Sequence, residues 1–156
     1  MTVVSASDRE AMRAALAEAR AALESGDVPV GAVVLDAQGR VIARGRNARE
    51  RDSDPTAHAE VVALREAGRA SGDWQLPGCT LVVTLEPCVL CAGAILAARI
   101  DRVVFGAWDV KAGAAGSVVD LLRERRLPYR VREVVAEVDA EESAQMLRDF
   151  FGERRA

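Results

Sequence analysis

Lysine is almost missing from this sequence. Of its 21 basic residues only Lys111 is a lysine, and the rest are arginine. Alanine is abundant as well. A GC-rich coding sequence produces both features, so neither is read as function. Histidine and tyrosine occur once each, and aromatic residues make up 4% of the chain. No apolar run approaches the roughly 18 residues of a membrane-spanning helix. The longest, VPVGAVVLD and CTLVVTL, break well short of it. The N-terminal MTVVSASDRE has no apolar h-region, which predicts no secretory signal. Three cysteines cannot all pair within one chain. Together with the missing signal they predict a reducing cytoplasm, with thiols used as ligands or packing. A net charge of −3 and a pI near 5.3 exclude bulk-charge coating of nucleic acid, though not a local basic patch.

What remains is an ordinary globular composition. The 156 residues are half hydrophobic, which predicts one domain over 1–156 with a proper core. Ser7 with Glu10 has the spacing of a capping box, and apolar residues recur at helical spacing from Met12 to Leu23. This predicts a first helix from about Asp8 to Ser25. VPVGAVVLD and VIARGRN flank AQGR and predict a β-hairpin, followed by RERDSDPT as loop. AHAEVVALREAGRA reads as a second helix ending near Gly72. CTLVVTLE is a continuous β-branched run suited to a strand buried on both faces. CVLCAGAILAARI follows as a helix, DRVVFGA as a strand and WDVKAGAAGS as a loop. VVDLLRER then predicts a short helix, YRVREVVAEV a fifth strand and DAEESAQMLRDFFGERR a last helix. Strands alternating with helices imply an α/β fold. The expectation is three α/β/α layers around a central five-stranded mixed sheet, with helices on both faces.

The chemistry is concentrated in two short stretches. His58 stands two residues before Glu60 at the predicted start of the second helix. Cys88 and Cys91 stand three apart at the start of the third. Cysteines so spaced at a helix N-terminus can turn both sulfurs to one point, and that end of a helix favours thiolate. One imidazole and two thiolates make three ligands for Zn²⁺. Structural zinc sites are closed by four protein ligands, whereas catalytic ones keep a position for water, so the count argues for catalysis. A bound water whose pKa falls to about 7 is a nucleophile at neutral pH. Glu60, beside the metal without binding it, can shuttle protons from the water to a ring nitrogen and a departing amine. This pattern points to hydrolytic deamination of an amino-purine or amino-pyrimidine.

Competing readings stand beside it. His58 can be a structural histidine. Cys88 and Cys91 can be a redox pair, although that would not need His58 and Glu60. Cys79 can supply a fourth ligand and close a structural zinc site, although it opens an apolar strand, where cysteine usually packs. A Cys–His hydrolase would leave the Cys-x-x-Cys spacing unexplained. A zinc-binding module with no activity also fits the ligands.

His58-Ala59-Glu60 and Pro87-Cys88-Val89-Leu90-Cys91 together reproduce the H-x-E…P-C-x-x-C signature of zinc nucleobase deaminases. Over nearly its whole length the chain resembles the cytidine-deaminase-like superfamily, and within it the bacterial tRNA-specific adenosine deaminases. The resemblance is carried by VPVGAVV, Asn47, DPTAHAE, TLEPCVLCAGA, RVVFGA, DVKAGAAGS and the terminal Phe150–Phe151 pair. It implies one zinc per subunit on His58, Cys88 and Cys91, with Glu60 as proton shuttle. The target would be the wobble adenosine in the ACG anticodon loop of an arginine tRNA, converted to inosine.

The resemblance also implies that Asn47 hydrogen-bonds the flipped base, and that Val28, Pro29 and the backbone from Val30 to Ala32 wall its pocket. Asp109 would meet a neighbouring ribose-phosphate and Lys111 a phosphate. Phe150 or Phe151 would stack on the loop, with Arg154 and Arg155 as basic cover and the other phenylalanine in the core. A homodimer is implied. Trp108 departs from the family pattern, which has a polar or basic residue before the aspartate. The arginines at 123, 125, 126, 130 and 132 read as a solvated face. A small-molecule deaminase for guanine, cytosine or a nucleoside would share the metal site but would not need Asp109, Lys111 or the aromatic-basic last helix.

Overall fold

The computed structural model describes residues 4–155, with side chains given for 4–152. Helix α1 spans Ala6–Ala22 and runs into a 3-10 turn, Leu23–Ser25, closed by Gly26 in the left-handed region at φ 75°. Strands β1 (Gly31–Leu35) and β2 (Val41–Arg46) form the hairpin. A four-residue helix α2 (Arg49–Asp52) precedes α3 (Ala59–Ser71). Then come β3 (Thr80–Leu85), α4 (Val89–Ala97), β4 (Arg102–Ala107), β5 (Glu133–Val135) and α5 (Ala140–Arg155). The sheet order is β2-β1-β3-β4-β5. β1 is antiparallel to β2 and β3, while β3, β4 and β5 are parallel, so the sheet is mixed.

Alternation along the strands divides the core in two. Ala32 and Val34, Leu81 and Val83, and Val103 and Phe105 face α3 and α4. Val33, Val82, Val104 and Val135 face Met12, Ala15 and Leu16 of α1, with Met146 of α5 against them. The sheet is therefore covered on both faces. Close approach is secured by glycine. A Cβ at Gly31 would lie 2.0 Å from Ala15 O of α1, and one at Gly45 would lie 2.4 Å from Ala59 O of α3.

Four local expectations are corrected. The capping box is Ser5 with Asp8, not Ser7 with Glu10, and α1 therefore begins at Ala6. The stretch expected as loop contains α2, because the buried Asp27 carboxylate accepts the N–H groups of Glu50 (2.6 Å) and Arg51 (3.2 Å). Residues 118–125 form turns instead of a helix. Their backbone bonds back to the preceding loop, as in Leu121 N–H to Ala114 O at 2.9 Å. The last strand shrinks to three residues, since Glu137 and Asp139 take positive φ and turn the chain into α5. Among the described residues no helix is long and apolar enough to cross a membrane.

Candidate active site

His58 is the N-cap of α3 and Cys88 the N-cap of α4, so the two helix starts converge beside the ends of β1 and β3. Glu60 lies in the first turn of α3, 4% exposed, and Cys91 in the first turn of α4 is fully buried. A ligand atom from each of His58, Cys88 and Cys91 lies within 4.8 Å of the others. His58 Nδ1 and Cys88 Sγ are 3.6 Å apart. Hydrogen bonding from Cys91 and then from His58 pulls the Cys88 thiol down to about 3. The same contact with Cys88, and burial, push Cys91 up. His58 is raised chiefly by its contact with Cys88. Burial pushes the Glu60 carboxyl up to about 7, against the opposing hydrogen bond from Cys91. One imidazole and two sulfurs so grouped fit Zn²⁺, and Glu60 stands outside the ligand group. Cys79 is remote from it, buried at the start of β3.

A cavity of about 840 Å³ opens from these residues to the surface. Its lining includes Val28, Val30 and Asn47, then Trp108, Asp109 and Lys111, and Leu147, Arg148 and Phe151 of α5. Asn47 donates from Nδ2 to Val28 O at 3.3 Å and accepts the Arg49 N–H on Oδ1 at 3.1 Å, which fixes its amide orientation at the wall. Ala32 does not line the cavity. It is fully buried in the core beneath α3. Asp109 caps its own loop, its Oδ1 accepting N–H groups of Lys111 and Ala112 at 3.1 Å. Phe150 is 8% exposed and Phe151 46%, the rings packed edge to face. The side chains of Arg154 and Arg155 lie outside the described residues. Trp108 stacks edgewise on Phe105 and donates to Glu137 at 2.7 Å. The arginines at 123, 125, 126, 130 and 132 are all exposed.

One residue had no role in the sequence reading. Glu86, 2% exposed, directly follows β3 and leads to Pro87 and Cys88. Burial pushes its carboxyl up, but hydrogen bonds from Ser117, Asp109 and Ala115 outweigh that and hold it below the usual carboxylate range. The available signal was a glutamate closing an apolar strand immediately before Pro-Cys.

Residues 5–107 match the cytidine and deoxycytidylate deaminase zinc-binding region. Fold, ligand trio and this match agree on a zinc-dependent deaminase. The chain belongs to the cytidine and deoxycytidylate deaminase family. It is 47% identical to the tRNA-specific adenosine deaminase of Bacillus subtilis over 92% of this chain and 88% of that one. It is also similar to a solved tRNA:A34 deaminase that carries out A-to-I editing at the wobble position of transfer RNA. There the TM-score is 0.84 at 44% identity, covering 88% of this chain and 99% of that one. A Bacillus subtilis guanine deaminase structure shares 39% identity with TM-score 0.61, over 64% of this chain and 63% of the other.

Proposed function

We propose that this protein, acting as a single deaminase domain over 1–156, hydrolyses the wobble adenosine of an arginine tRNA with an ACG anticodon to inosine. The observation that carries the reading is the lining of the site. One cavity is lined by His58, Glu60 and Cys88 and also by Lys111, Arg148 and the exposed ring of Phe151. A free base needs only the groups beside the metal ligands, whereas a splayed RNA loop uses the basic and aromatic ones as well. The relatives that act on tRNA, at the wobble position in the solved structure, support a tRNA substrate.

His58, Cys88 and Cys91 would hold a zinc ion, whose chemistry when bound would be to activate a water for attack on the amine-bearing carbon of the base. The chain's own residues do the rest. Glu60 is buried beside the trio with its carboxyl raised toward neutrality, suited to accept a proton and return it. It takes one proton from the attacking water and delivers it to the ring nitrogen, then takes the remaining hydroxyl proton and passes it to the amine, so that the carbonyl forms as ammonia leaves. Asn47 retains an N–H and a lone pair for the edge of the base. Val28 packs on its face, Asp109 and Lys111 meet the neighbouring nucleotide, and Phe151 stacks on the loop. Turning the base out costs a few kcal/mol, least in an already open loop. The working form is a cytoplasmic homodimer.

A second reading, deamination of a free base, has the guanine deaminase likeness in its favour. The deciding assay is inosine formation in an arginine tRNA with an ACG anticodon, with adenosine, guanine and cytosine run in parallel. Conversion of the tRNA alone is expected, with Glu60→Ala losing at least about a hundredfold in turnover while retaining zinc. Conversion of a free base alone overturns the RNA assignment.

A further inference from the structure

The loop from Trp108 to Ser117 carries Asp109 and Lys111 to the cavity without a helix or strand to stiffen it. An isolated antiparallel bridge between Cys88 and Gly113 ties it to the cysteine segment, and Ala114 N–H to Pro87 O at 2.7 Å is one of its bonds. Three further amides, of Asp109, Ala115 and Ser117, converge on one acceptor, the side chain of Glu86. Its Oε1 accepts the Asp109 N–H at 2.9 Å and the Ser117 hydroxyl. Its Oε2 accepts the N–H groups of Ala115 and Ser117, each at 3.0 Å. A carboxylate offers about four acceptor sites, and all four are taken here, so none remains for a substrate or a metal. The loop closes tightly over this anchor. A Cβ on Gly113 would stand 2.2 Å from the carboxylate carbon, and glycine at 113 leaves that space free.

We propose that Glu86 is a positioning residue. Through four hydrogen bonds it holds residues 109–117 in the shape that presents Asp109 and Lys111 to the nucleotide beside the target, in fixed register with Cys88. The inference rests on the RNA reading above. Asp109 and Lys111 would touch parts of the substrate remote from the reacting carbon. Those contacts are equally present in the ground and transition states, so losing them raises KM and spares kcat.

The test compares wild type with Glu86→Gln, Glu86→Ala, Gly113→Ala and the double variant Glu86→Ala/Gly113→Ala. Readouts are zinc content, amide hydrogen exchange over 109–117, and kinetics on an arginine anticodon stem-loop RNA. Glutamine keeps the size but turns an NH₂ toward N–H donors and gives up the charge. The expected result for Glu86→Gln is faster exchange confined to 109–117, full zinc, a KM raised about tenfold and kcat within about threefold. Gly113→Ala drives a Cβ into the carboxylate and should raise KM similarly. In the Glu86→Ala background that Cβ occupies vacated space, so the double variant should be no worse than Glu86→Ala alone.

Unchanged exchange and KM in Glu86→Gln overturn the proposal. So does loss of zinc with collapse of kcat, which would make Glu86 a prop for the metal helix. Additive penalties at 86 and 113 overturn it as well. A wild type inactive on RNA refutes the substrate reading instead, and the exchange arm still decides whether Glu86 holds the loop.

Discussion

Arg102 in β4 grips Asp8 in the first turn of α1 with both terminal nitrogens, Nη1 to Oδ1 at 2.7 Å and Nη2 to Oδ2 at 2.9 Å. The aspartate is 3% exposed and also accepts the Ser5 N–H, so one side chain caps α1 and fastens it to the sheet. The Arg102 hydrogen bond, chiefly, holds the Asp8 carboxyl below its usual range. Asp8→Asn removes the charge but keeps the size. It should lower stability by about 2 kcal/mol, read as a shift in denaturation midpoint at unchanged m.

The same pair sets a pH dependence. A carboxyl with a lowered folded pKa contributes stability above the unfolded value of about 3.9. That contribution is lost as pH falls from there through the folded pKa. Stability profiles of wild type and Asp8→Asn should therefore run parallel near neutrality and converge in acid. Profiles equally spaced down to the acid limb would show that the Asp8 charge does not carry the difference.

Cys79 separates a three-ligand site from a closed four-ligand one. Its thiol is buried at the start of β3, apart from the His58–Cys88–Cys91 trio. Burial, first, and then Asp36 and Asp101 push that thiol up. Cys79→Ala should keep full zinc and turnover and cost about 1 kcal/mol of packing. Cys91→Ala should lose the metal and all activity. Zinc lost from Cys79→Ala would restore the structural-site reading.

The legible features were those whose causes are local in sequence. His58 and Glu60 sit within three residues at one helix start, and Cys88 and Cys91 within four at another. The β-branched runs that became β3 and β4 bury both faces. The features that escaped have distant causes. Helix α2 exists because Asp27, 23 residues before Glu50, receives its N–H groups. Residues 118–125 match a helical pattern, but their backbone is engaged by residues 113 and 114. Glu86 finds its partners 23 to 31 residues further on, beyond any motif spacing. The backbone at Ala32 was placed at the pocket wall by resemblance; the Ala32 side chain turns into the core and the residue is not part of the cavity lining.

Phe150 and Phe151 are adjacent, yet their surroundings assign them opposite effects. Phe150 is 8% exposed on the core side of α5, and Phe151 is 46% exposed in the cavity lining. Removing a buried ring destabilises by transfer and cavity terms together, so Phe150→Ala should cost about 3 kcal/mol in denaturation. Phe151 is half-buried and packs edge to face on Phe150, so its alanine variant should cost about 1 kcal/mol, well below Phe150→Ala. On RNA the order should reverse. Stacking a base on an aromatic ring is worth about 1–3 kcal/mol, so Phe151→Ala should weaken binding of an anticodon stem-loop by tenfold or so. Titrating labelled RNA against both variants, at a temperature where each is folded, reads the two effects separately. A Phe151→Ala protein that binds RNA as wild type does would move the stacking role away from this helix and leave Lys111 and Arg148 as the cavity's contribution.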